Sequence, residues 1–254
     1  MYMMNITEVP NDDLNVSTCH MDCDAPLCND LPVPLNTMVS GHALGICGHS
    51  GSGKTTLMVS LLGAKKRKGK RQSFRKLFNN IVICSPSIHT ISNNLFDGID
   101  GGKKFRAFND EVIDKVADLA EKEVEEGETN YTLLVLDDVS TALRKDAKLE
   151  KRLVQLFQNR RHMNVSIWCI TQKYKDFPTG IRSNLSHFAT FKPKTVPEME
   201  AIYTEMMPFK KHHMLDFFDH VFSKKHSFLF IDMSLRELPS FVFYHNFNRL
   251  HITT

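Results

Sequence analysis

The run GHSGSGKTT, residues 48 to 56, sets three glycines, a lysine and four hydroxyl side chains between the apolar segments ALGIC and LMVSLL. Gly48, four intervening residues, Gly53, Lys54 and Thr55 fill the template G-x-x-x-x-G-K-[ST] in full. Residues that spaced in this way bind phosphate. Glycines let the backbone turn tightly and aim successive N–H groups inward, where a Cβ would obstruct the approach. The helix that follows adds the partial positive charge of its N-terminus. Gly48, His49, Ser50, Gly51, Ser52, Gly53, Lys54, Thr55 and Thr56 therefore form the candidate cradle for a nucleoside triphosphate. Lys54 is expected to reach the β- and γ-phosphates, and the Thr55 hydroxyl to ligate Mg²⁺.

A second constellation lies downstream. Asp137 and Asp138 end the apolar run LLVL, as the acids of a phosphate-loop enzyme should. Asp137 is placed to hold Mg²⁺ through its water shell, and Asp138 to orient and deprotonate an attacking water. Gln172 ends the next strand-like run, where a side-chain amide can sense the γ-phosphate. Arg160 and Arg161 precede that run, at the opposite end of the strand from the cradle. Neither is expected to reach its own nucleotide, but either could reach a neighbour's.

The elements that must carry these residues alternate. Strand patterns occupy ALGIC, NIVICS from Asn80, YTLLVLDD from Tyr131, VSIWCITQ from Val165 and SHFATFKP from Ser186. Helices are expected from Thr55 to Lys66, from Asn109 with Val112, Val116, Leu119 and Val124 on one face, and from Asp146 to Arg160 with Leu149, Leu153, Leu156 and Phe157 on one face. Thr195 and Glu198 have the spacing of a capping box ahead of MEAIYTEMM. A helical stretch through Phe222 follows, and SFLFIDM and SFVFYHN read as a late hairpin at a sheet edge. The alternation predicts an α/β fold, which with the phosphate loop resembles the P-loop NTPase (RecA/ASCE-like) kind. Its mostly parallel sheet is flanked by helices, with ligands at the carboxyl ends of the strands. Residues 39–254 are expected to form that domain. Residues 1–38, polar and marked by Pro10, Pro26, Pro32 and Pro34, read as an acidic, flexible N-terminal arm.

Composition sets the class. With 42% hydrophobic and 24% charged residues the chain suits a globular domain, and no apolar run approaches a membrane span. The N-terminus lacks the basic and apolar regions of a secretory signal. Cys47, Cys84 and Cys169 fall inside predicted strands, where free thiols pack as small hydrophobes. Cys19, His20, Cys23 and Cys28 cluster in the arm without a familiar zinc spacing, so a tail is expected there rather than a metal site. The net charge of +3 is unevenly spread. No Lys or Arg precedes Lys54, whereas residues 64 to 76 (AKKRKGKRQSFRK) hold eight basic residues and no acid. Such a run is either a solvated loop or a contact for a polyanion, of which nucleic acid is the obvious one.

Together these pieces resemble the DNA-packaging ATPases of nucleocytoplasmic large DNA viruses, a branch of the HerA–FtsK superfamily. The resemblance spans Leu44 to Ile231. It rests on GHSGSGKTT, NIVICSPS, LLVLDD, RRHMNVSIWCITQ and FKPKTVPEMEAIYTE. It implies an ATP-hydrolysing motor, using Mg²⁺, that translocates double-stranded DNA into a capsid as a homo-oligomeric ring. It further implies a capsid or portal-site partner, and a place in the infected-cell cytoplasm, at the virus factory, or with the virion. Carried over, the water-activating acid falls on Asp138, the strand-end glutamine on Gln172, and the arginine that acts across subunits on Arg161. The wider superfamily usually has Asp-Glu where this chain has Asp137-Asp138, which looks like the viral branch. Two other functions fit a phosphate loop: a small-molecule kinase, and a DNA-binding regulator with a structural nucleotide. A kinase needs no water-activating acid beside its Mg²⁺ ligand. No N-K-x-D guanine motif or LSGGQ-like signature occurs.

Overall fold

The computed structural model describes residues 27, 31–63, 73–74, 76–87, 101–122, 129–208, 210–234 and 241–251. Among the described residues nine strands form one sheet: β1 (Ala43–Cys47), β2 (Asn80–Cys84), β3 (Lys104–Phe105), β4 (Thr132–Asp137), β5 (Val165–Thr171), β6 (His187–Phe191), β7 (Phe228–Asp232), β8 (Val242–His245) and β9 (Asn248–Arg249). Their spatial order is β3-β2-β4-β5-β1-β6-β7-β8-β9. The strands from β3 to β6 pair in parallel, and β7, β8 and β9 add antiparallel to the β6 edge. The mostly parallel sheet with a late hairpin at its edge is the architecture the sequence pattern predicts.

Alternation along each central strand sends side chains to two faces, and both are covered. On one face Leu134, Leu136, Val165, Ile167 and Cys169 pack with α2 (Asp110–Ala120) and α4 (Ala147–Asn159). The predicted stripe Leu149, Leu153, Leu156 and Phe157 is the buried face of α4. On the other face Leu133, Val135, Trp168 and Ile170 meet Met58 and Leu61 of α1 (Lys54–Gly63). Each such aliphatic side chain contributes about 1.5–3 kcal/mol by leaving water. Leu31, Leu35 and Met38, in the segment the sequence assigns to the arm, are buried in this second core.

A local signal sets the start of α4. Asp146 caps α4, accepting from Lys148 N and Leu149 N at 2.9 and 3.0 Å. Helix α1 is described to Gly63 and α2 to Ala120, so the expected extension of α1 to Lys66 and the position of Val124 lie outside the described residues. The capping box at Thr195 does not form. Helix α6 (Val196–Met206) has no side-chain cap bond from Thr195. Glu198 Oε1 instead accepts from Tyr174 N at 3.0 Å, because a turn at Tyr174–Asp176 claims the carboxylate first.

A buried polar cluster closes the end of the sheet where the parallel strands begin. Trp168 Nε1 donates to His42 Nε2 at 2.7 Å, so the His42 proton sits on Nδ1, 2.8 Å from Val39 O. His187 Nε2 lies 3.3 Å from Asp232 Oδ1, both side chains being buried. Burial foremost, then the neighbouring His187, pushes the His42 imidazole down to about 3.

Candidate functional site

The phosphate-loop residues emerge from β1, which is buried throughout its length. Gly48 N donates to Thr171 O, which ties the start of the loop to the end of β5. Gly51 and Gly53 adopt φ of +76° and +117°, conformations that side chains disfavour. At Gly48 the restraint is space: a Cβ would stand 2.7 Å from Ser52 Oγ and 2.9 Å from Phe191 Cβ. Lys54 Nζ folds over the loop and donates to Gly48 O at 2.6 Å and His49 O at 3.0 Å. Burial lowers the Lys54 ammonium pKa, while Asp137, Cys47 and Asp138 work against that shift. The Ser52 hydroxyl is buried without a hydrogen-bond partner. Thr55 and Thr56 are exposed in the first turn of α1. A turn of this shape, with an unspent hydroxyl and a lysine on its own carbonyls, fits a phosphate chain.

Sheet order brings the second constellation alongside. Strand β5 lies between β1 and β4, so Gln172, one residue past β5, stands between the loop and the paired acids. Gln172 Nε2 donates to Asp138 Oδ2 at 2.9 Å. Asp138 has φ of +55°, an uncommon left-handed conformation for a side-chain residue, and its N–H donates to Ile170 O at 3.0 Å. Asp137 Oδ2 accepts from Ser85 Oγ at 2.8 Å. Burial raises the Asp137 carboxyl above its ordinary value, the Ser85 bond opposes this, Asp138 adds to it and Lys54 offsets it. The set offers one partly buried acid beside the loop and one exposed acid held by an amide.

The structure brings Lys54, Thr55, Asp137, Asp138 and Gln172 to one end of the sheet and leaves the arginines at the other. Arg160 is buried and one guanidinium nitrogen donates to Phe157 O, with Nε unpartnered. Burial pulls its pKa down to about 10. Arg161 is exposed. The backbone of this pair is pressed against Gly41, whose φ is +67°; a Cβ there would meet Arg161 Cα at 2.7 Å.

Sequence reasoning missed Ser85 and the residues beyond the loop. Ser85 follows β2, the neighbour of β4, and a polar residue at that strand end was the available signal. His226 Nδ1 donates to Ser52 O at 2.9 Å across 174 positions, with no local signal at all. Of the basic run only Ser73, Phe74 and Lys76 are described, Phe74 being buried in the second core. The remainder, and the cluster of Cys19, His20, Cys23 and Cys28, lie outside the described residues. Cys47, Cys84 and Cys169 are free and buried, with burial as the main cause pushing each thiol up to about 12. Among the described residues no cluster of three or more His, Cys, Asp or Glu could hold a metal, and no helix is long and apolar enough to cross a membrane.

Residues 37–236 match the model of the family described as Poxvirus A32 protein. The fold is similar to the crystal structure of B204, the DNA-packaging ATPase from Sulfolobus Turreted Icosahedral Virus, with a TM-score of 0.55 at 14% identity over 81% of this chain and 96% of that one. It is also similar to the genome packaging NTPase B204 from Sulfolobus turreted icosahedral virus 2 in complex with ATP-gammaS, with a TM-score of 0.51 at 14% identity over 77% and 94% of the two chains. At such identity these likenesses establish the fold. No curated protein matches the sequence.

Proposed function

The chain belongs to the Poxvirus A32 protein family, and from that premise and the geometry of the site we propose that it is an ATP-hydrolysing motor that moves double-stranded viral DNA into a capsid. The structural neighbours, a DNA-packaging ATPase and a genome packaging NTPase in complex with ATP-gammaS, support this reading. The observation that carries it is the Gln172–Asp138 bond beside the phosphate loop. An acid held there by an amide is placed to activate water, whereas a small-molecule kinase needs no water-activating acid beside its Mg²⁺ ligand.

In this reading the loop from Gly48 to Thr56 binds the triphosphate of ATP. Lys54 exchanges its contacts with Gly48 O and His49 O for the β- and γ-phosphates. Thr55 would ligate Mg²⁺ directly and Asp137 would hold it through its water shell. Held by these residues, the ion would neutralise charge on the phosphates. Asp138 accepts the proton of a water as its oxygen bonds to the γ-phosphorus and the bond to the β–γ bridging oxygen breaks, and ADP departs. Gln172 holds Asp138 and that water in line. Arg161, too far along the sheet to serve its own site, serves the site of the adjacent subunit in a homo-oligomeric ring. Duplex DNA is contacted by the basic run 64–76 through phosphate charge, and a capsid or portal-site protein recruits the ring. The infected-cell cytoplasm, at the virus factory, is its place of work.

The test is ATP hydrolysis with and without linear duplex DNA, with Lys54→Ala as the inactive control. Stimulation by DNA is expected; hydrolysis indifferent to DNA, or phosphoryl transfer to a small alcohol in place of water, would overturn the motor reading.

A further inference from the structure

The phosphate cradle opens on one side into a groove of about 690 Å³, within the usual size of a small-molecule site. Its near end is the cradle itself, at Gly53, Thr55 and Thr56. Its far wall comes from three later pieces of chain: Phe191 at the end of β6, Phe228 at the start of β7 and Phe247 in the turn between β8 and β9. Phe228 and Phe247 are only half-buried, so their rings are available to the groove.

The turn that carries Phe247 is strained. Asn246 and Phe247 have φ of +49° and +68°, the left-handed pair that a two-residue hairpin loop requires. Asn tolerates this conformation and glycine is the usual second residue; a bulky aromatic ring there is an outlier. The surroundings hold it. Asn246 Oδ1 accepts from Phe228 N at 2.9 Å and Asn246 N donates to Phe228 O at 3.1 Å. The Phe247 ring stands edge-on to Phe228 and Phe230 at 4.9 and 5.3 Å between centroids. The wall is also fixed to the cradle, since His226, itself at φ +63°, donates to Ser52 O. Strain kept at one residue and aimed at a ligand groove points to a role for its side chain.

Resting on the phosphate-loop reading, we propose that this groove seats the nucleobase of the bound nucleotide and that Phe247 is its stacking face. A nucleotide held by its phosphates at Lys54 and Thr55 can lay its nucleoside end along the adjoining groove, which Thr56 also lines. The walls there are aromatic, as the flat face of a base requires. The Asn246 amide is spent on the backbone of Phe228 and on His245 Nε2, 3.1 Å away, so it holds the turn and leaves stacking as the main contact. The late hairpin is thus part of the nucleotide site.

The test compares binding of Mg-ATP and Mg-tripolyphosphate, which has the phosphates without the base, by titration calorimetry. The chains are wild type, Phe247→Gly, Phe247→Tyr and Lys54→Ala. Glycine suits the left-handed position, so Phe247→Gly removes the ring and keeps the turn. It is expected to weaken ATP about 5- to 150-fold, the range for losing one base–aromatic stack, and to leave tripolyphosphate unchanged. Phe247→Tyr, which keeps a ring, is expected to bind ATP as wild type does. Unchanged ATP affinity in Phe247→Gly overturns the seat, as does an equal loss for both ligands, which would make the turn a mere support for the cradle. Failure of the underlying reading looks different: a wild-type chain that binds neither ligand, or a Lys54→Ala chain that keeps tripolyphosphate, removes the cradle and the seat together.

Discussion

Gln172 donates from its side-chain amide to Asp138 Oδ2 at 2.9 Å, joining the end of β5 to the end of β4 beside the phosphate loop. The bond leaves the other carboxylate oxygen of Asp138 to accept a proton. It also makes the two residues a unit rather than two separate contributors.

Loss of the proposed base should separate binding from turnover. Asp138→Asn is expected to bind ATP normally and to hydrolyse it about 10²- to 10⁴-fold more slowly. Gln172→Ala should also slow turnover, yet add little on the Asp138→Asn background, because residues acting as one unit are not additive. Steady-state hydrolysis and equilibrium ATP binding of the four chains measure this. Independent, multiplicative losses would show that the bond does not couple them.

Asp137 gives a pH prediction. Its carboxyl, raised above 3.8 chiefly by burial, binds more protons in the folded chain than in the unfolded one from 3.8 upward through its raised folded value. Stability therefore falls as pH rises through that window, and the cost persists at neutral pH. Asp137→Asn is expected to stabilise the nucleotide-free protein at pH 7, with the gain shrinking as pH approaches 3.8. The same change should weaken the Mg²⁺ dependence of ATP binding. Denaturant unfolding at a series of pH values reads the first effect, and a destabilised variant at pH 7 would contradict it.

The two arginines should fail in different ways. Arg161→Ala is expected to lower turnover by about 10³–10⁵ while leaving the chain folded. Mixed with Asp138→Asn, it should recover activity, since some interfaces pair an intact acid with a neighbour's Arg161. Persistent inactivity in demonstrably mixed oligomers would remove the role across subunits. Arg160→Ala should instead cost stability, about 1.5–3 kcal/mol for a buried charge-assisted bond, because its guanidinium is turned inward to Phe157 O. Thermal unfolding distinguishes the two.

His42 makes the fold sensitive to acid. A base whose folded pKa is depressed to about 3 from 6.5 contributes stability that is complete above 6.5 and lost as pH falls through that range. The slope is up to about 1.4 kcal/mol per pH unit for one proton. His42→Gln, which keeps an acceptor for Trp168 and does not titrate, should flatten the stability profile between pH 3 and 6.5. A profile of unchanged slope would assign the acid sensitivity elsewhere.

The cradle was legible in the sequence because its parts are contiguous: nine residues in a row specify their own turn. The paired acids and the α4 stripe were legible for a similar reason, since one strand or one helix sets their spacing. The capping box was misread because Glu198 has a competitor, Tyr174 N, that only packing brings near. Ser85 escaped notice because its partner Asp137 is 52 positions away on another strand.

The chemistry on offer is written in the residue order: a phosphate loop, paired acids, an amide at a strand end, two arginines and an alternation of strands and helices. Those features depend on neighbours within a turn or two, where covalent spacing is enough. Which of these residues meet is a matter of packing across the whole fold. That packing set β5 between β1 and β4, so that Gln172 reaches Asp138. It buried Arg160 and left Arg161 exposed. It also folded the last hairpin back beside α1, so that Phe247 and Phe191, 56 positions apart in the sequence, line one groove with Thr56. Strand order and hairpin docking follow from how two faces of one sheet are covered at once, a sum over the whole chain that no local spacing contains.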